Sequence, residues 1–159
     1  MKLVTSLLRF GLTGLLASTC GVAVSNADDT APKVQYFTAA QLASQAAHPV
    51  DGVAAKQFMN VPGGNVFIVR RDKNGDAEVH MALNDIFIVK SGHAKITVGG
   101  QITGNRETAP TEWRGGEITG GTDYPLAAGD VLFIPAGMPH KVLVSAKASI
   151  TYVTVKTPK

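Results

Sequence analysis

The sequence predicts an all-β fold, closed into a sandwich or barrel, and three observations predict it. From Val66 onward, short apolar runs rich in Val, Ile and Phe recur along the chain. Turns containing Gly, Asn or Pro separate them. No long stretch keeps the apolar period of a helix. With 159 residues, the chain is long enough for one domain with a sizeable core.

Residues 1–27 read as a secretory signal peptide. Lys2 and Arg9 make a basic start, Phe10 to Val24 is uncharged, and Ser25-Asn26-Ala27 supplies small residues for cleavage. The uncharged run of 15 residues is short for a spanning helix, which needs about 20. Cys20 is the only cysteine. A lipoprotein signal there would place a more hydrophobic residue than Ala17 and a smaller one than Thr19, so cleavage after Ala27 is preferred to lipidation. The mature chain then has no cysteine, and no disulfide can form. Loss of Lys2 and Arg9 takes the formal charge from +3 to +1. No basic stripe remains, which argues against nucleic acid as a partner. No membrane span is left after signal removal, and the expected location is periplasmic or secreted.

Residues 28–65 are read as an N-terminal extension with a short helix. Asp28 to Lys33 is polar. Thr38 and Gln41 fit a capping box, and the Ala-rich helix should run to about Ala47. His48 before Pro49 stops it. A strand is expected around Ala54 to Val61.

Residues 66–159 are read as the barrel. Val66–Arg70 and Ala77–Met81 flank Asn74-Gly75, which predicts a hairpin. Ile86–Val89 and Lys95–Val98 are two further strands. Residues 100–126 are long for a loop without structure of its own. One or two irregular strands are expected there, overhanging the barrel mouth, with Trp113 in a packing role. Val131–Ile134, His140–Val144 and Ser149–Val155 complete the set. His48 and His93 are expected at the surface.

The stretch Gly129 to His140 reads G-x5-P-x-G-x2-H. A buried strand ends in a rigid Pro/Gly turn, and His140 opens the next alternating run. This pattern resembles the second signature motif of the cupin superfamily. The companion motif, roughly G-x5-H-x-H-x3or4-E-x6-G, aligns with Glu78 to Gly92. Asp85 then stands where that family has Glu, His80 at its second His and Glu78 at its first. A register with His80 as the first His and Ala82 as the second leaves too few residues before Asp85. The opening Gly is misplaced, at Gly75. The resemblance covers about Val66 to Val155. It implies a cupin-type double-stranded β-helix, a jelly-roll barrel, for a family whose members include oxygenases, isomerases, lyases and decarboxylases.

Strand alternation puts Glu78 and His80 on one face. Pairing across the hairpin puts Phe67, Val69 and Arg71 on that same face, which marks it as interior. Ionisable groups there need a partner. A divalent metal held by Glu78, His80, Asp85 and His140 is one solution. The N/O donor set suits Fe, Mn, Zn or Ni. An Arg71–Glu78 ion pair is another, with Asp85 capping a turn and the histidines bonded to backbone carbonyls. Two functions follow. One is an exported metal-dependent enzyme acting on a small organic molecule, with Tyr124 or Tyr152 as candidate proton donors. The other is a metal-free cupin that binds a small ligand or serves to dimerise, a second copy of the chain being a candidate partner.

Overall fold

The computed structural model describes residues 33–159. The expected signal peptide, its cleavage point and Cys20 lie outside the described residues.

Helix α1, Ala39–Gln45, opens on the expected capping box. The Gln41 amide donates to Thr38 Oγ1 at 3.2 Å, and the Thr38 amide donates to the Gln41 side chain at 2.8 Å. These bonds satisfy two amides that the first turn leaves without partners. The helix ends two residues short of the expected Ala47. Among the described residues, no helix is long and apolar enough to cross a membrane.

The strands are β1 (Val53–Val61), β2 (Gly64–Arg71), β3 (Glu78–His80), β4 (Leu83–Val98), β5 (Gln101–Thr103), β6 (Arg106–Ala109), β7 (Glu112–Arg114), β8 (Glu117–Thr119), β9 (Thr122–Ala127), β10 (Val131–Ile134), β11 (His140–Leu143) and β12 (Ile150–Pro158). All pairings are antiparallel. One layer runs β1-β2-β12-β4-β10, and the other runs β9-β4-β11-β3-β7-β6. β5 and β8 pair only with each other.

β4 belongs to both layers. Its first half pairs with β12 and β10, its second half with β9 and β11. The two strands expected at Ile86–Val89 and Lys95–Val98 are therefore one. Gly92 lies between them with φ 76°. A Cβ there would collide with the Ser149 carbonyl, so a residue without a side chain is required where the strand crosses layers.

The expected hairpin about Asn74-Gly75 does not form. β2 pairs with β1 and β12, whereas β3 pairs with β11 and β7. The connecting segment instead crosses between layers. The Gly75 amide donates to the Val142 carbonyl at 2.9 Å, and Asn74 Oδ1 accepts from the Val144 amide at 2.8 Å. β1 also brings Val53 onward, within the segment read as an extension, into the sheet.

The core lies between the layers. Phe87, Ile96, Val142, Ile150 and Tyr152 are fully or almost fully buried in it. Each such apolar side chain contributes about 1.5–3 kcal/mol by leaving water. His48 and His93 are exposed, and Trp113 is half-buried.

Candidate metal centre

Glu78, His80, Asp85 and His140 are all buried, and the strand register brings them together. Each sits directly opposite a partner in the ladder. His140 opens β11 opposite Glu78 on β3. Glu78 and His80 stand opposite Arg114 and Glu112 on β7. Asp85 on β4 stands opposite Lys156 on β12. Directly opposed residues have adjacent Cβ atoms, so the backbone pairing itself places the side chains.

The turn after β10 fastens this arrangement. Gly137, at φ 82°, donates its amide to the His80 carbonyl at 2.8 Å. The Ala136 amide donates to Asn84 Oδ1 at 3.0 Å. The segment that delivers His140 is thereby bonded to the chain on either side of the turn that follows His80.

Each imidazole uses Nδ1 outward and Nε2 inward. His80 Nδ1 lies 2.5 Å from Glu112 Oε2, and His140 Nδ1 lies 3.1 Å from the Met138 carbonyl. A carbonyl or a carboxylate can only accept, so Nδ1 carries the proton in both rings. In the neutral ring Nε2 then presents a lone pair. Both Nε2 atoms are buried, and neither has a hydrogen-bond partner.

Carboxylate oxygens nevertheless crowd those nitrogens. His80 Nε2 is 3.2 Å from Asp85 Oδ2 and 3.6 Å from Glu78 Oε2. His140 Nε2 is 3.4 Å from Asp85 Oδ2 and 3.6 Å from Glu78 Oε1. One donor atom each from Glu78, His80 and His140 falls within 4.8 Å of the others. Donors about 2.1 Å from a shared ion stand about 3.0 Å apart at octahedral angles and about 3.4 Å at tetrahedral ones. The spacing and the two orphaned nitrogens both fit a divalent cation.

Two cations from outside the four residues complete the charge pattern. Arg114 forms an ion pair with Glu78, and Lys156 Nζ lies 2.6 Å from Asp85 Oδ1. Burial opposes the charged form of Glu78. Its contacts with His140, Arg114 and His80 outweigh that and hold the carboxyl well below its ordinary range. Burial likewise opposes ionised Asp85, and His140, His80 and Lys156 overcome it. Burial alone would lower the His140 pKa, but Asp85 and Glu78 raise it to about 9.

The interior face predicted for Phe67, Val69 and Arg71 is correct, since they line one cavity of about 290 Å³ with Glu78 and Asp85. The Arg71–Glu78 ion pair, weighed as the alternative to a metal, is not formed. Arg114 takes that place because β7, not β2, is the neighbour of β3. Arg71 instead donates Nε–H to the Tyr152 hydroxyl at 3.0 Å. Asp85 does not cap a turn. It is buried between Lys156 and the imidazoles. Tyr152 is buried beside the cavity, and burial pushes its hydroxyl up to about 12 against the opposing charge of Arg71. Tyr124 is exposed on β9 and does not line the cavity.

Sequence reasoning missed Glu112, Arg114 and Lys156. A signal exists for each. Glu112-Trp113-Arg114 alternates charged and apolar residues, as Glu78-Val79-His80 does. Lys156 has the parity of the buried Tyr152 and Thr154.

A family model described as a JmjC domain matches residues 40–159. No curated protein matches the chain. Solved structures with similar folds include an uncharacterized conserved protein with a double-stranded β-helix domain from Klebsiella pneumoniae. It has 18% identity and a TM-score of 0.58, and the match covers 79% of this chain and 91% of that one. The TT1209 protein of Thermus thermophilus matches with 17% identity and a TM-score of 0.54, over 74% and 93% of the two chains. A predicted oxalate decarboxylase from Thermotoga maritima matches with 13% identity and a TM-score of 0.50, over 67% and 81%. At these identities the likeness establishes a shared fold.

Proposed function

The chain belongs to the JmjC-domain family and has the cupin-type double-stranded β-helix, and on that footing we propose that it binds a divalent metal and acts on a small organic molecule. His80, His140 and Glu78 hold the ion, with Asp85 as the fourth ligand. The observation that carries this reading is the pair of buried Nε2 atoms without hydrogen-bond partners. Leaving two such groups unsatisfied is costly, and a metal satisfies both at once. A set of two imidazoles with carboxylates suits Fe, Mn, Zn or Ni. A bound ion supplies Lewis-acid polarisation of a substrate oxygen or an activated water.

The chain's own residues prepare the site. Glu112 and the Met138 carbonyl fix both ring tautomers. Arg114 occupies Glu78 Oε2, while Oε1 faces His140. Lys156 occupies Asp85 Oδ1, while Oδ2 faces both imidazoles. The cavity beside them has apolar side chains such as Val69 and Phe87 in its wall, together with Arg71, Arg114 and Lys156.

The test is elemental analysis of the chain purified without chelator, set beside His140→Ala. About one equivalent of metal in the wild type and little in the variant is expected. A metal-free wild type whose unfolding ignores chelator would sink the reading.

One observation favours a second reading. Each acid already carries a cation, Arg114 on Glu78 and Lys156 on Asp85. A metal-free barrel that binds a small ligand, or that dimerises, would need no more than this.

We also propose export to the periplasm or medium, on the basic, uncharged and small-residue pattern of residues 1–27. Sequencing of the exported chain should find Asp28 within a few residues of its start. An intact Met1 in the native host argues against it.

A further inference from the structure

Helix α1 lies over the outer face of the first layer without filling the space beneath it. Ala39, Leu42, Ala43 and Ala46, spaced i, i+3, i+4 and i+7, form its inward stripe. Three of these four are alanine, so the stripe is shallow. Between it and the sheet lies a cavity of about 410 Å³, larger than the one of about 290 Å³ inside the barrel. Ile68, Arg70, Lys90, Ser91 and Thr151 form its sheet side.

Strand parity separates this cavity from the metal cluster. Phe67, Val69 and Arg71 face the barrel interior, so Ile68 and Arg70 face the other way. By the same alternation Tyr152 lines the interior and Thr151 the outer cavity.

A bulge in β4 supplies a polar rim. Thr151 of β12 stands opposite Ser91, but Tyr152 stands opposite Val89, which leaves Lys90 without a counterpart. Regular alternation would send only one of Lys90 and Ser91 outward. The extra residue lets both line the cavity under α1. On its other side Thr151 pairs with Arg70. Arg70, Thr151 and Ser91 thus form a row across three strands, with Lys90 beside Ser91.

That rim is cationic and has spare donors. Among the described residues no acid lines the cavity, and α1 carries no charge. Arg70 donates Nε–H to Asp72 at 3.0 Å, and its terminal nitrogens make no hydrogen bond among the described residues. Lys90 has no side-chain partner there, and neither have the Ser91 and Thr151 hydroxyls. An inorganic anion would leave Ile68, Leu42 and the alanines uncovered. A neutral alkane would leave the cations unpaired. A molecule with both an anionic head and an alkyl chain satisfies both halves.

We propose that the cavity under α1 is a second ligand site, for a single-chain anionic amphiphile of the fatty-acid type. Its head meets Lys90, Arg70 and the two hydroxyls, and its chain lies against Ile68, Leu42 and the alanine stripe. The site stands on the opposite face of the sheet from the metal cluster and does not depend on it. Its volume of about 410 Å³ falls within the range of small-molecule sites and suits one medium-length chain.

The test titrates decanoate, kept below its micelle concentration, into the chain by calorimetry and follows thermal unfolding. Butyrate keeps the head and shortens the chain, and decyltrimethylammonium keeps the chain and reverses the charge. Decanoate should bind and raise the unfolding temperature, and the other two should not. Lys90→Gln, at an exposed position, should weaken decanoate binding by about three- to tenfold, and Lys90→Arg should keep it. Ala43→Leu extends a good helix former into the cavity and should abolish binding while the free chain unfolds no earlier. If Ala43→Leu does not fold, the two Lys90 variants decide. Butyrate or the cation binding as well as decanoate, or decanoate binding indifferent to Lys90→Gln and Ala43→Leu, would overturn the proposal. Binding to phosphatidylglycerol vesicles without binding to monomeric decanoate overturns it in favour of a membrane-facing surface. Decanoate binding that comes and goes with chelator overturns it in favour of the barrel cavity. Metal uptake by a chain that ignores decanoate overturns this site alone and leaves the metal reading standing.

Discussion

Arg114 and Glu78 face each other across the β3–β7 ladder as an ion pair, and the guanidinium side of that pair reaches solvent. The Arg114 side chain is 39% exposed, against 11% for Glu78. Exposure decides what the pair is worth. A partner that water can reach contributes little to stability, about 0–1 kcal/mol. Loss of the Arg114 contact alone should therefore cost little, but Glu78 also faces both imidazoles, so Glu78→Gln should unfold below the wild-type midpoint in chelator and lose most of its metal. His140→Ala should lose metal to a similar degree. A Glu78→Gln protein that keeps full occupancy removes Glu78 from the ligand set.

Asp85 and Lys156 behave differently, because both are shielded. Their side chains are 2% and 16% exposed. Asp85→Asn leaves a mostly buried ammonium facing a neutral amide, and the cost should be about 3–5 kcal/mol. Adding Lys156→Met should restore much of it. Denaturant melts of the two single variants and the double variant in chelator measure the coupling. Additive losses would mean that the pair is not energetically real.

Glu112 reaches the site only through His80 Nδ1. Its side chain is 23% exposed, so Glu112→Ala should fold normally. Loss of the group that fixes the tautomer should weaken metal binding by about ten- to a hundredfold. Glu112→Gln can still accept from Nδ1–H through its amide oxygen and should lie between. Competition with a metal-binding dye gives the order. Equal affinity for all three proteins would show that His80 needs no orienting partner.

Proton linkage has a defined sign. The pKa of His140 rises from 6.5 to about 9 on folding. The stability this provides is complete below about pH 6.5 and is lost as pH climbs to about 9. Glu78 and Asp85 are shifted down from 4.5 and 3.8. Their contribution is present above those values and is lost as pH falls below them. The metal-free chain should thus be most stable between about pH 4.5 and 6.5. Metal must displace the His140 proton, so affinity should rise by up to about tenfold per pH unit until about pH 9. Titrations at several pH values check this. A flat profile would place His140 outside the coordination sphere.

The fold was readable because its signals are local. A Pro/Gly turn before His140, β-branched runs and period-2 alternation each act within a few residues. Alternation put Glu78 and His80 on one face, and that face is the interior although the hairpin pairing used to assign it does not form. What failed was partner choice. Asn74-Gly75 carries a hairpin signal, but the Val142 carbonyl and Val144 amide capture that segment, and β3 is drawn to the other layer. Arg71 then loses Glu78 as a partner, and Arg114 gains it. No local feature announces such an exchange, because ladder neighbours are set by how the whole sheet closes. Lys156 was hidden for the same reason, since β12 meets β4 across some seventy residues of chain.

β3 is only three residues long, and its place between β11 and β7 gives it few backbone bonds. Its charges do what length does elsewhere. A slip of one residue would turn Val79 toward the cavity and carry Glu78 and His80 to the opposite face, where Val79 is now buried. It would strand the inward-facing Asp85 and His140 and separate Arg114 and Glu112 from their counterparts. Only one alignment satisfies all six groups. The polar cluster therefore acts as a key for the strand order of the barrel, and a chain that has assembled it has, by that fact, threaded correctly.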